Sequence, residues 1–495
     1  MKKLFSFLML IGILAAGCSQ EEYGYTTNMG DDANTPSFTF VEGTYLTPTI
    51  GSDGGALVYN FATNSAWSAT SSEEWISITP ASGDATATCF TISAPKNLTG
   101  HARTTTIKVE YGNGKSLEIL LSQAAELCAV NEIAYRTTDG EIFTPTTIEG
   151  FGAEFTNNTY ENGYGKLRFT GEVKSIPAEA FKGCTTLKLI ILPEQLTTIG
   201  DSAFEGCTEL QEIRFNKAVT TIGKMTFSEC EALSAIVLGE NITTIGEGAF
   251  NKCSQLESIA IPDGVSHIGD YTFYSCASLV AVSLGNSIES IGDSAFENCH
   301  ALAEITLPDS VKSIADNAFA NCHNLAKVTL GNNIESIGNY AFTYCKSLSS
   351  IALPNTVKSL GDYAFLRCKK LANITLSENL THIGEATFAN CSSLMSITLP
   401  AAITSIGNEA MFGCSRLSTI NCMATTPPTL GACAFDKYIV KSEGVDTENG
   451  DKYDRETYEI TAIGSTIYVP TNSAEAYKSA EAWSNYASKI TGKSF

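Results

Sequence analysis

The sequence predicts a mostly β chain: an N-terminal immunoglobulin-like β-sandwich, then a leucine-rich solenoid of 23-residue coils, closed by a short C-terminal helix cap. Three observations lead there. Cysteine recurs at a constant interval of 23 from Cys184 to Cys414, a self-similarity that marks stacked repeats. Upstream, runs such as ALVYNFAT, WISITP and CFTISAP alternate apolar and polar residues between Gly, Asn, Asp and Pro, the pattern of short strands joined by turns. Downstream, NSAEAYKSAEAWSNYASKI sets Tyr477, Ala480, Ala487 and Ile490 on one helical face, with Trp483 beside them and Asn472 and Glu475 at capping-box spacing.

A chain of 495 residues with 43% hydrophobic and 17% charged residues has the composition of a globular protein with several domains. Lys and Arg number 31 against 53 Asp and Glu, a net charge of -22. Such a field repels phosphate backbones and anionic headgroups, so nucleic acid is excluded as an expected partner.

The first residues, MKKLFSFLMLIGILAAGC, join a Lys2-Lys3 start to an apolar run from Leu4 to Ala16 that is too short for a permanent membrane span. The ending Leu14-Ala15-Ala16-Gly17-Cys18 resembles the bacterial lipobox. That resemblance implies a signal peptide over residues 1–17, a diacylglycerol on the Cys18 thiol, and attachment to the cell outer membrane through this lipid. Residues 18–35, with Glu21, Glu22, Asp31 and Asp32, form an acidic tether. Its SQEE loosely resembles the acidic patch of Bacteroidetes-type surface lipoproteins, which implies display on the outer face.

Residues 36–125 are expected to form the sandwich, with a hairpin at Tyr111-Gly112-Asn113-Gly114. The segments SAWSATSSEEWISITPASG, NLTGHARTTTIKV and LLSQAA resemble the BACON domain, a resemblance that implies carbohydrate binding. An indole face suits the C–H face of a pyranose, and of the two tryptophans here Trp67 is the more exposed candidate for glycan contact. Trp75, in WISI, is assigned to the core, where a large apolar ring is most often placed.

In the solenoid the cysteines are Cys184, Cys207, Cys230, Cys253, Cys276, Cys299, Cys322, Cys345, Cys368, Cys391 and Cys414. Around each the chain reads I-G-x-x-A/T-F-x-x-C-x-x-L-x-x-I-x-L, with Leu three and Ile or Val six positions after the Cys. The alternation at Ile305-Thr306-Leu307 is a short strand with one inward face. Each inward position therefore becomes a column through the stack. Residues 171–421 are similar to the BspA-type leucine-rich repeat, a family of surface proteins, with Ala315, Met411 and Cys422 departing from the pattern. Residues 126–170 are expected to cap the first coil, and residues 422–495 to hold a degenerate coil, an acidic insertion and the C-terminal cap.

A cysteine on a fixed beat raises the question of chemistry. Metal sites need ligands close together in sequence, such as C-x-x-C, and the repeat cysteines lack them. His300 and His323, one coil apart, are the one metal candidate, and without a third ligand they read as solvated surface, so no metal or cofactor is expected. Coil-to-coil disulfides are disfavoured because stacked side chains run parallel, leaving the Cβ atoms too far apart. The cysteines are thus assigned to a structural ladder, as small buried hydrophobes. No paired carboxylates, Ser/His/Asp set or phosphate loop is found, so an enzyme is not expected. The acidic insertion 437–459, with Glu443, Asp446, Glu448, Asp451, Asp454 and Glu456, matches no calcium-loop spacing and is expected to be a solvated hairpin or loop. Outward strand positions are left for binding, and Ser283, Thr306, Thr329 and Thr375 form the candidate face. The expected function is a lipid-anchored surface adhesion protein that binds a protein or glycan through the solenoid. The alternative is a glycan-capture lipoprotein that binds mucin or polysaccharide through the sandwich.

Overall fold

A computed structural model describes residues 36–40, 46–51, 54–95, 97, 102–124, 128–161, 163–214, 217–444, 455–461 and 464–495. The signal peptide, Cys18, the acidic tether and residues 445–454 of the acidic insertion lie outside the described residues. The chain divides into two compact units, Met1–Leu127 and Cys128–Phe495.

In the first unit β1 (Phe38–Phe40), β3 (Gly55–Thr63), β7 (Cys89–Ala94) and β5 (Ser77–Thr79) form one sheet in the order β1-β3-β7-β5. The other sheet has the order β2-β9-β8-β4-β6, from β2 (Thr49–Ile50), β9 (Lys115–Gln123), β8 (Arg103–Tyr111), β4 (Trp67–Ser71) and β6 (Ser82–Gly83). Strand alternation sends Ile107 and Val109 of β8, and Ile119 and Leu121 of β9, to the interior. Antiparallel strands run through residues 103–123 in unbroken register, from Arg103 opposite Gln123 to Tyr111 opposite Lys115.

Of the two tryptophans, Trp67 does not stand where the sequence suggested, while Trp75 packs partly buried against the core. Trp67 is only 3% exposed and sits among Phe38, Phe61 and Phe90, with ring centroids 6.3, 4.9 and 5.5 Å away. It opens β4 in inward phase with Ala69, so its indole is core and it is not the exposed glycan contact. Trp75 lies outside the strands and is half-buried, with the Arg103 guanidinium 4.0 Å over its ring.

In the second unit β10 (Glu132–Thr137), β11 (Phe155–Glu161) and β12 (Tyr164–Phe169) form an antiparallel cover, and β10 pairs antiparallel with the first coil strand, Leu187–Ile191. That strand in turn pairs in parallel with Glu212–Arg214 of the next coil. Tyr135, Phe143 and Phe151 bury their rings at this end, with Phe143 5.7 Å from Phe181. The open edge and open core of the first coil are thereby covered, as an end coil requires.

The following coils contribute two short parallel strands each, except that after Cys230 the first is reduced to a single bridge from Ala235 to Ser258. One ladder pairs residues such as Glu304–Thr306 with Lys327–Thr329, and the other pairs Ser313–Ile314 with Ser336–Ile337. Register advances by one whole coil, so like stacks on like. Phe181 to Phe388 make an unbroken column of ten rings, centroids 5.1–5.6 Å apart and interplanar angles of 2–19°. Met411 takes the next place and ends the aromatic run.

The cysteines stand beside this column, and all those described are free thiols. From Cys207 to Cys414 each Sγ donates to the carbonyl of the Phe 26 residues earlier, at 3.0–3.2 Å. That carbonyl also accepts a backbone N–H from its own coil, as Phe319 O does from Cys322. Buried carbonyls have two lone pairs, and the thiol fills the second. The side chain is therefore a weak donor as well as a small hydrophobe.

Two residues per coil adopt left-handed backbone, among them Tyr340 (φ 56°), Tyr344 (φ 57°), Tyr363 (φ 59°) and Arg367 (φ 60°). Such angles are uncommon for side chains of this size. Backbone N–H groups at these positions bond the next coil, for example Tyr344 N to Leu366 O at 2.8 Å, and this stacking holds the conformation.

The far end closes differently from the single helix that periodicity suggests. A 3₁₀ turn (Thr471–Ser473), a six-residue helix (Ala474–Ser479), a second 3₁₀ segment (Trp483–Lys489) and a strand (Ile490–Lys493) follow one another. Ala480 is extended and Ala482 has φ 63°, which breaks the helix, and the Asn472–Glu475 capping box is absent. The expected apolar surface is still delivered. Trp483 donates to Pro428 O at 2.7 Å, Tyr477 to Ala424 O at 2.8 Å, and both rings are fully buried over Phe435 and Cys422. The acidic insertion begins and ends as an antiparallel pair, Lys437–Gly444 with Arg455–Thr461.

Candidate functional site

With the inward columns filled, the surface of the solenoid is what remains for recognition. Three faces differ in chemistry.

The strand face carries the sequence-predicted residues. Ser283, Thr306, Thr329 and Thr375 are all exposed at outward positions of their strands. Thr306 and Thr329 are direct partners in the parallel ladder, Ser283 pairs with Ala260, and Thr375 with Ala352. The four therefore fall in one row, interrupted by Ala352. Lys327 and Glu304 flank the row in a loose ion pair at 4.0 Å. Exposed apolar Val280 and Met395 stand close by in sequence, four residues after Cys276 and Cys391. Small side chains leave this face smooth, able to accept a broad partner and poor in groups that could activate a bond.

The second ladder borders an open groove of about 490 Å³, lined by Ser313, Ser336, Ser359, Gly338, Asp316 and Asn339 among others. Its polar groups are already engaged. Asp316 Oδ1 accepts the Asn339 N–H at 2.7 Å, and Asn339 Oδ1 accepts the Asp362 N–H at 2.9 Å. This Asx column was not noticed in the sequence, although an Asp or Asn after most I-G steps marks it.

The turn face, on either side of the cysteines, was also missed. Tyr340 and Tyr363 stack with ring centroids 4.7 Å apart and planes 2° apart, and Tyr340 is 38% exposed. The Tyr363 hydroxyl bonds the Glu385 carboxylate. Tyr344 lies under the Arg367 guanidinium, 5.1 Å from the ring centroid, and its hydroxyl accepts from Arg367 Nη1. His300 and His323 stack at 4.8 Å. Burial, then Lys346 and His300, hold the His323 imidazole below its ordinary pKa. Among the described residues no group of three His, Cys, Asp or Glu is placed to hold a metal ion.

The thiol ladder is chemically quiet. Burial pushes Cys299 and Cys345 well above the ordinary thiol pKa, and half-buried Cys184 is pushed up to about 11. A thiolate is the reactive form, so these positions are poor nucleophiles. In the sandwich neither indole offers a free platform, since Trp67 is in the core and Arg103 covers Trp75.

Comparison with known proteins follows this geometry. The family model described as "BspA type Leucine rich repeat region" matches in several copies over residues 155–280, 266–352 and 313–442, more than half of the chain. The BACON model, an N-terminal binding domain, matches residues 65–124. Among curated proteins none matches. Solved structures that resemble the chain include a leucine-rich repeat protein from Bacteroides ovatus ATCC 8483, 27% identical, covering 69% of this chain and 90% of that one with a TM-score of 0.42. A leucine-rich cell surface protein from Faecalibacterium prausnitzii A2-165 is 28% identical, covering 56% and 86%, with a TM-score of 0.38. The T. pallidum leucine-rich repeat protein is 32% identical, covering 32% and 77%, with a TM-score of 0.30. BspA-type repeat proteins are typically bacterial surface proteins, and no helix among the described residues is long and apolar enough to cross a membrane. The two domain types together mark a surface binding protein. By the repeat that fills most of its length, this chain belongs to the BspA-type leucine-rich-repeat family.

Proposed function

We propose that the protein is a lipid-anchored adhesion protein of the cell surface, held at the outer membrane through Cys18, whose solenoid binds a protein or glycan of a host or neighbouring cell. One observation carries the choice of the solenoid over the sandwich. The outward row of Ser283, Thr306, Thr329 and Thr375 is open to solvent, whereas both sandwich indoles are occupied. Extended repeat surfaces commonly serve as binding faces.

The test is a screen of the full chain against arrayed glycans and extracellular proteins, followed by the double variant Thr306→Lys with Thr329→Lys. Exposed substitutions usually change stability by no more than about 0.5 kcal/mol. The variant should fold normally and lose attachment to the ligand that the screen returns. If it binds as the parent does while Trp75→Ala abolishes binding, recognition belongs to the sandwich, and the protein is a glycan-capture lipoprotein for mucin or polysaccharide.

A further inference from the structure

The distribution of charge along the solenoid is uneven in a way that the net charge of -22 conceals. In the first half of the solenoid the turns around the cysteines carry Glu205, Glu209, Glu229, Glu231, Glu257 and Glu297. In the second half the corresponding segments, residues 320–326, 343–349, 366–372, 389–395 and 412–418, contain no Asp or Glu. They contain Lys346, Arg367, Lys369, Lys370 and Arg416, all exposed.

These cations differ from several other solenoid lysines in lacking a carboxylate partner. Lys224, Lys252, Lys312 and Lys358 each meet a Glu of an adjacent coil at 2.6–2.8 Å. Among the described residues, none of the five has a carboxylate partner. Stacking also keeps them in line. Lys346 and Lys369 occupy the same position in consecutive coils, directly after the cysteine, and His323 and His300 continue that row one and two coils earlier. The stacked imidazoles give the step along the row as 4.8 Å. Tyr344 supplies an aromatic ring within the patch, with Lys346 Nζ 5.9 Å and the Arg367 guanidinium 5.1 Å from its centroid.

We infer that this turn face is a binding site for an acidic glycan, a chain of sugars bearing carboxylate or sulfate groups. The inference rests on the solenoid being the binding unit and assigns it a second face and a ligand class. Aligned ammonium and guanidinium groups match anionic substituents carried at intervals along a polymer, and the guanidinium can grip a carboxylate or sulfate through two parallel N–H bonds. Asn321, Asn324, Ser347 and Ser393 occupy the same turn segments of this and neighbouring coils and suit sugar hydroxyls.

Acidic residues of the same coils disfavour broader polyanions. An acidic column runs beside it, with Asp316, Asp362 and Glu385 six residues before the cysteines. A single polysaccharide chain can follow the cations and avoid that column. A membrane plane or a nucleic-acid duplex is broader and would also be presented to the acidic side chains. A peptide strand is disfavoured for another reason. Backbone N–H groups of Asn321, Tyr344 and Arg367 are each donated to the next coil at 2.8 Å, which leaves no free edge for strand addition.

The experiment uses the full chain and three immobilised polysaccharides: heparin as the sulfated probe, polygalacturonate as the carboxylated probe and dextran as the neutral control. The parent should bind at least one anionic probe and not dextran, with affinity falling as salt rises. The triple variant Lys346→Ala, Lys369→Ala and Lys370→Ala should weaken binding at least tenfold. A matched variant at paired positions, Lys224→Ala, Lys252→Ala and Lys358→Ala, changes net charge equally and should stay within about twofold. Equal losses in both variants would show a general charge effect and overturn the site. Tighter binding of phosphatidylserine vesicles, duplex DNA or polyglutamate than of either polysaccharide would overturn the ligand class. A parent that binds neither anionic probe but does bind a ligand in the screen through Thr306 and Thr329 would defeat this inference and leave the proposed function standing. Failure to bind anything in either experiment would defeat both.

Discussion

Replacing Phe319 by Ala tests whether the solenoid is held by its columns. The ring is fully buried, and it stacks on Phe296 at 5.3 Å and on Phe342 at 5.2 Å. Withdrawing a phenylalanine side chain from the interior loses about 1.5–3 kcal/mol of burial free energy. Each of the two ring contacts adds about 0.5–1.5 kcal/mol. Relief by collapse is blocked, because Phe319 N bonds Ala341 O and Phe296 N bonds Ala318 O, both at 2.8 Å, fixing the coils at their spacing. The sum agrees with the range of about 3–5 kcal/mol for such truncations. Since the chain has two units, a global unfolding midpoint would mix their responses, and local hydrogen exchange of peptides from the flanking coils is the better assay. Amides in those coils should exchange at least a hundredfold faster, a tenfold change corresponding to about 1.4 kcal/mol. Amides of the sandwich should be unchanged. An acceleration below about fivefold would mean that the column contributes little, and that the backbone ladders alone hold the stack. His300→Ala, on the exposed surface, serves as the control and should have little effect.

Four further outcomes are expected. Cys18→Ala should remove the protein from the detergent-extractable membrane fraction, and undiminished membrane association would refute the lipid anchor. The ladder thiols should resist alkylation in native protein and react on denaturation, while exposed Cys89 reacts first; recovery of coil-to-coil disulfides by mass spectrometry would refute the packing. Because burial raises the folded pKa of these thiols, their contribution to stability is complete below the unfolded thiol pKa near 8.5 and is lost as pH rises above it, by about 1.4 kcal/mol per pH unit for each thiol that ionises only on unfolding. Urea midpoints of the solenoid should therefore fall steeply above about pH 9, and a flat profile to pH 11 would contradict the shifts. Trp67→Ala should destabilise the sandwich by about 3–5 kcal/mol, measured by unfolding of that unit, whereas Trp75→Ala should cost less.

The columns were legible in the sequence because a constant repeat turns one coil into a template for all. Leu325, Phe319 and Cys322 could be assigned to the interior from spacing alone. Phase was harder to read where no repeat supports it. Trp67 and Trp75 both border strand-like runs, and only pairing with β6 and β8 shows which indole points inward. In the C-terminal segment the spacing of Tyr477, Trp483 and Ile490 fits one helix as well as two short turns and a strand. The break at Ala482 leaves no mark in composition. The turn face was hidden for a different reason. Lys346, Arg367, Lys369 and Arg416 are scattered in the linear chain and become neighbours only when coils are laid side by side. That they lack carboxylate partners among the described residues requires atomic contacts to see. The left-handed angles of Tyr340 and Tyr363 are likewise imposed by the neighbouring coils, so residue preference gives no hint of them.

The thiol-to-carbonyl bond has a bearing on how such a protein changes length. Each coil offers one lone pair of its Phe carbonyl to the cysteine of the coil that follows, and its own cysteine donates to the carbonyl of the coil before. Removing a stretch of 23 residues, such as Cys299 to Asn321, rejoins a donor to an equivalent acceptor and keeps every column in phase. Removing 22 would displace phenylalanine, cysteine and leucine from their columns at once. The length of the solenoid is therefore adjustable in whole coils without any change to the core.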